Sequence, residues 1–121
     1  MPFIEVNIDN PDLALEHSVR QGLIREVRKA VAEQLSCIMP DGSVNKVSVT
    51  QLDVRVHIID RHLGERQEKD VVIKIEAIGY PDRMVNRQQR GDVIKAQLVY
   101  EYPKLTFGVW LDPKPDAVWS E

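Results

Sequence analysis

The sequence predicts a small α+β domain made of two similar β-α-β halves, a four-stranded sheet covered on one face by two helices. Two observations carry this. Four short segments alternate apolar and polar residues with the period of a strand. Two longer segments repeat apolar residues at three and four, as a helix does, and each falls between a pair of strand segments. The 121 residues fit one domain over 1–121.

The first strand is read over 2–8, where Ile4, Val6 and Ile8 share one face and Glu5 and Asn7 the other. A helix start follows: Asn10 can cap, Pro11 suits the first helical position and Asp12 suits the positive end of the helix dipole. The helical pattern of Val19, Leu23, Ile24, Val27, Ala30, Val31 and Leu35 runs to about residue 35. Residues 38–46, with Pro40 and Asp41-Gly42, read as a loop. A long strand is expected over about 47–59, with Leu52, Val54, Val56 and Ile58 on one face and Asp53, Arg55 and His57 on the other. A charged connection over 60–69 leads to a strand over about 70–78. Gly79-Tyr80-Pro81-Asp82 breaks it, and a second helix is expected from about Met84 to Tyr100. Gly91 within it suggests close packing, because a helical glycine otherwise costs about 1 kcal/mol against alanine. Pro103 ends the helix, and a last strand is expected from about Leu105 to Leu111. The face of the sheet turned away from the helices carries Glu5, Arg55, His57, Lys74 and Glu76 among Val72 and Ile78. Such a face meets water or is covered by another subunit.

Composition excludes several function classes. The chain is 43% hydrophobic and carries a formal net charge of -3, which suits a core and disfavours nucleic acid as a partner. No apolar run reaches the roughly 20 residues of a membrane span, and the N-terminus lacks the pattern of a signal peptide, so a cytoplasmic protein is expected. Cys37 is the one cysteine and reads as a buried structural thiol. His17, His57 and His62 do not combine with acidic residues at metal-ligand spacing, so no metal site is expected.

Several short motifs, taken in order, resemble the tautomerase superfamily, and 5-carboxymethyl-2-hydroxymuconate isomerases most of all. They are Pro2 opening the first strand, Arg55-Val56-His57 followed by Asp60, Ile78-Gly79, then Arg87-Gln88-Gln89 with Gly91 and Asp92, and Leu105-Thr106-Phe107. The similarity is clearest over about 54–112. The resemblance implies a homotrimer and a cofactor-independent isomerase or tautomerase acting on small unsaturated keto or hydroxy acids, such as intermediates of aromatic degradation. It implies that Pro2, freed by removal of Met1, is the catalytic base, and that arginines bind the substrate carboxylates. The sequence departs from the isomerases at Asp82, where an arginine is expected, and Arg83 stands one position later. The aromatic and asparagine of the migration-inhibitory-factor branch fall near Thr106 and Gly108.

The chemistry of these residues stands beside plainer readings. An α-amine titrates near pH 7.7–8.0, and apolar surroundings or a nearby cation lower it toward the range of an effective general base. Phe3 and Ile4 offer the surroundings and Arg55 the cation; alternatively Pro2 simply starts a strand. With Met1 attached the nitrogen is an amide and not a base. Arg55 can grip a carboxylate through two parallel hydrogen bonds, or pair with Glu5 or Glu76. His57 can return a proton to an intermediate, or be an ordinary hydrogen-bonded histidine. Arg83 and Arg87 can reach a substrate from the start of the second helix, or lie on the surface. Trp110 and Trp119 suit a core or a subunit interface. Two rival functions remain: an inactive trimeric binding or scaffold protein with this fold, and a ferredoxin-like regulatory module with the same element order.

Overall fold

Alternation in the first strand decides how the sheet is assembled. In β1 (Phe3–Ile8), Ile4, Val6 and Ile8 are fully buried, and β1 lies inside the sheet with neighbours on both edges. The structure, a computed structural model, describes residues 2–10, 17–59, 64 and 67–114. β4 (Asp53–Ile58) runs parallel to β1 with Ile4 opposite Val54. β5 (Val71–Ile78) runs antiparallel on the other side with Val6 opposite Ile73. β6 (Phe107–Lys114) is parallel to β5, with Ile73 opposite Val109. The order β4-β1-β5-β6 therefore sets two parallel pairs back to back across an antiparallel β1–β5 junction.

This order corrects the ferredoxin-like reading. In that fold the strands joined through a helix are split by another strand. Here β1 and β4 are direct neighbours, as are β5 and β6.

The helices lie on the face that holds Ile4, Val6, Ile73 and Ile75. α1 (His17–Leu35) buries Leu23, Val27, Ala30, Val31 and Leu35, a stripe at helical spacing. The second helix, expected to be continuous from about residue 84, is in two pieces. α2 (Pro81–Val85) starts earlier because Pro81 fits a first helical turn. α3 (Arg87–Glu101) follows a break at Asn86, whose φ of -123° and ψ of 30° leave the helical region. α3 buries Ile94 and Leu98 against the same core as α1. Full burial of each such side chain stabilises the fold by about 1.5–3 kcal/mol.

Two other segments differ from expectation. The strand read over 47–59 begins only at Asp53, after a single 3-10 turn at Val49–Gln51 in which the Gln51 amide oxygen accepts the Ser48 N–H at 2.8 Å. The loop over 38–46 contains a small hairpin of β2 (Cys37–Ile38) and β3 (Val44–Asn45). Its turn uses Gly42 at φ 87°, a conformation glycine adopts without steric cost. The helix start at Pro11 and Asp12 lies outside the described residues, as do Asp60, His62 and Trp119. Asn10 is described and donates to Asp70 Oδ1 at 3.3 Å. Cys37 is buried, as expected of a structural thiol.

Trp110 is 69% exposed on the open sheet face and takes no part in this chain's core. Gly91 is buried, yet a Cβ built on it meets nothing within 4 Å, so close packing does not explain it. Gly91→Ala should stabilise the protein by about 0.5–1 kcal/mol, as glycine to alanine does in an unobstructed helix interior. A higher urea midpoint at unchanged slope is the expected reading.

Candidate functional site

The antiparallel β1–β5 junction brings the start of the chain to the end of β5, since Phe3 pairs with Glu76. Pro2, just before β1, is thereby set beside the segment that leaves β5 for α2. Its carbonyl accepts the Asp53 N–H at 2.9 Å, which also fastens it to β4. The result is a cavity of about 320 Å³ lined by Pro2, Asn45, Val47, Gln51, Ile78, Tyr80 and Arg83. The hairpin, the segment after it and the 3-10 turn supply Asn45, Val47 and Gln51; the end of β5, the turn that follows and α2 supply Ile78, Tyr80 and Arg83.

Arg83 is 3% exposed. Its Nε donates to the Leu35 carbonyl at 2.8 Å and its Nη1 to the Ile78 carbonyl at 3.0 Å. Its guanidinium lies over the Tyr80 ring, 4.9 Å from the centroid. Burial lowers its pKa from the ordinary arginine value, with Cys37 and Tyr80 acting in the opposite sense. A guanidinium stays protonated in proteins, so the cavity wall carries a fixed cation.

A second buried arginine binds the same end of α1. Arg90 is 8% exposed and donates through Nη1 to the Gln34 carbonyl and, at 3.0 Å, to the Ser36 carbonyl. Its Nε donates to Asn86 Oδ1 at 2.6 Å and its Nη2 to Asp82 Oδ2 at 3.1 Å. The same Asp82 oxygen accepts the Ile38 N–H of the hairpin at 2.8 Å. Asp82 thus ties α2 to α3 and to the hairpin that carries Asn45.

Of the residues singled out in the sequence, the fold brings Pro2 and Arg83 together. Arg55 lies elsewhere, mid-way along β4 on the open face, with its side chain 73% exposed and 3.9 Å from the Asp53 carboxylate. It sits 5.2 Å over the Phe3 ring, and the pairing with Glu5 or Glu76 considered for it is not the one found. His57 is opposite Asn7, four residues beyond the Asp53 end of β4, which is about 13 Å along a strand. Arg87 opens α3 and lines a different cavity, of about 430 Å³, with Gly91 and Trp110. Sequence reasoning did not single out Tyr80, Asn45, Gln51 or Arg90. Arg90 had a signal, since it lies seven residues after Arg83 and so returns to the same side of a helix. The hairpin and turn residues had none.

Among the described residues no group of three or more His, Cys, Asp or Glu side chains is placed to hold a metal. No helix among them is long and apolar enough to cross a membrane.

No family model matches the chain, and no curated protein matches it. Solved structures do. A native fused 4-OT superposes with a TM-score of 0.62 at 11% identity, covering 94% of this chain and 87% of the other. A macrophage migration inhibitory factor-like protein from Entamoeba histolytica gives 0.59 at 11% identity, covering 99% and 94%. A 5-carboxymethyl-2-hydroxymuconate isomerase from Deinococcus radiodurans R1 gives 0.52 at 12% identity, covering 99% and 86%. The chain has the tautomerase-superfamily fold. In this tautomerase fold the Asp82 departure has a structural use, as the acceptor shared by Arg90 and Ile38.

Asp82→Ala leaves a buried guanidinium edge and a backbone N–H without their acceptor. It should cost about 1–3 kcal/mol of stability. Urea denaturation checks the size, and faster exchange of the Ile38 amide locates the effect at the hairpin.

Proposed function

We propose that this chain is a cofactor-independent isomerase or tautomerase of small unsaturated keto or hydroxy acids, with the amine of Pro2 as its base. The observation that carries the reading is that Pro2 and the buried cation Arg83 line one cavity. The names of the structural neighbours, which include a fused 4-OT and a 5-carboxymethyl-2-hydroxymuconate isomerase, support the same reaction class.

Removal of Met1 turns the Pro2 nitrogen from an amide into a secondary amine with a lone pair. The positive charge of Arg83 in the same cavity disfavours a second positive charge on the amine. In the ketonising direction the amine accepts the proton of the enol hydroxyl as the carbonyl forms. The resulting pyrrolidinium delivers a proton to carbon at the far end of the conjugated system, and the free amine returns. No electrons are gained or lost. Arg83 holds the substrate carboxylate, and its fixed charge favours the electron-rich dienolate between the two proton transfers. Tyr80, Asn45 and Gln51 offer neutral hydrogen bonds to the remaining oxygens. Arg83 takes the place that the sequence suggested for Arg55, and Arg55, His57 and Arg87 have no part in this mechanism.

The proposal includes a homotrimer. The open sheet face presents Trp110 and Arg55 stacked on Phe3, and β4 and β6 are the edges of the sheet. Light scattering should return three times the 13.9 kDa chain mass, and a monomer would refute this part. A second reading, a binding protein with this fold and no turnover, is favoured by the use of Arg83 for backbone carbonyls.

Turnover of an enol acid, followed by ultraviolet absorbance, separates the two. Processed protein with Pro2 at its N-terminus should be active, and its rate should fall as acid protonates the amine. Pro2→Ala should lose about 10²–10⁴-fold, the usual worth of a positioned base. Equal activity of the two proteins, or activity with Met1 retained, rules out the proline base.

A further inference from the structure

We infer that the groove between α1 and the Ile58 end of β4 docks an acidic amphipathic helix of a partner protein, one that presents a carboxylate, an apolar side chain and a second carboxylate on successive turns. The groove has a volume of about 740 Å³, and Val56 and Ile58 form its apolar floor. Its wall is a row of α1 residues four apart, Arg20, Ile24 and Arg28, with Arg25 beside them. The inference does not depend on the reaction proposed for Pro2, which is fastened to the other end of β4, at Asp53.

Charge and spacing identify the occupant. The chain has a formal net charge of -3, yet three of its arginines gather along this groove. Two of them are held in place: Arg20 Nη2 lies 3.2 Å from His17 Nδ1, and Arg28 Nη1 donates to the Leu52 carbonyl at 3.3 Å. Each contact engages one nitrogen of a guanidinium that carries five N–H donors, so both arginines keep donors for a carboxylate. Positions four apart on a helix lie about 6 Å apart along its axis. The row therefore reads cation, aliphatic, cation at one step per helical turn. Its complement at that spacing is a second helix bearing Glu or Asp, then Leu or a similar residue, then Glu or Asp. Val56 is 45% and Ile58 39% exposed, so the floor gains from being covered. These exposures also mark an open groove rather than the enclosed pocket that a small ligand uses. By register Val56 and Ile58 stand beside Val6 and Ile8 on the helix-covered face, which separates the groove from the open face assigned to the trimer.

Fluorescence anisotropy of the full chain with a labelled helical peptide tests this. The probe is rich in Ala and Gln, about 15–20 residues long, with Glu and Leu alternating at every fourth position. Its control is an isomer with the same Glu and Leu residues redistributed around the helix. The patterned peptide should bind at least about tenfold more tightly than the isomer, since the two share a net charge and differ only in where the residues stand. Arg20→Glu, and separately the exposed Arg25→Glu, should each weaken the patterned peptide about tenfold through like-charge contact. Lys29→Glu makes the same change of net charge on α1 outside the groove lining and should alter the affinity by less than about twofold. Equal binding of the two peptides, binding of neither, or an equal loss in Lys29→Glu overturns the inference. A lower mass by light scattering for Arg25→Glu would assign the groove to a second copy of this chain and overturn it too.

Discussion

The carbonyl end of α1 is the constraint on which the rest of the site depends. A helix leaves its last carbonyls without intrahelical donors, and burying them unpaired costs about 1–3 kcal/mol apiece. At Gln34, Leu35 and Ser36 the donors come from the other half of the molecule, from Arg83 and Arg90. Both arginines are almost fully buried, and the negative end of the α1 dipole favours positive charge at that place. The two β-α-β halves are therefore joined by more than the β1–β5 ladder and the packing of Leu98 and Ile94 with the α1 stripe.

This constraint also prepares a site. A cation recruited by a ligand from solvent must lose rotamer freedom, about 1.5–2 kcal/mol for a long side chain. Arg83 has already lost it to the carbonyls of Leu35 and Ile78, and the Tyr80 ring covers one face of its guanidinium. The antiparallel register then carries Pro2 to the same cavity, because the first residues of β1 lie opposite the last residues of β5. Pro2 and Arg83, 81 positions apart in sequence, come to line one cavity through strand order.

Much of the fold was legible in the sequence, because periodicity reports burial. The period-2 pattern of Ile4, Val6 and Ile8 and the helical stripe of Leu23, Val27 and Val31 each match a fully buried face. What could not be read was set by contacts distant in sequence. Asn86 breaks the second helix while its side chain holds Arg90, and no local pattern announces that bond. The hairpin at Cys37–Ile38 and Val44–Asn45 has two residues a side, too few for a periodic signal. Of the site, Pro2 and Arg83 were named from the sequence, and Arg55 was named there as the cation near Pro2. Register sets Arg55 opposite Glu5, on the open face, where its guanidinium lies over the Phe3 ring next to Pro2.

Asp82 shows how one departure from a resembling sequence can be absorbed. An aspartate where an arginine was expected reverses the charge at the start of α2, which in isolation argues against an anion site. In the structure its carboxylate is taken up by Arg90 at 3.1 Å and by the Ile38 N–H at 2.8 Å. The pair is locally neutral, and Arg83 has no carboxylate partner among the described residues. Among the described residues that line the Pro2 cavity, the charged one is Arg83, so the sign there is still positive. An aspartate at this position is thus compatible with a positive cavity wall, because its charge is spent on Arg90 and the hairpin rather than on Arg83.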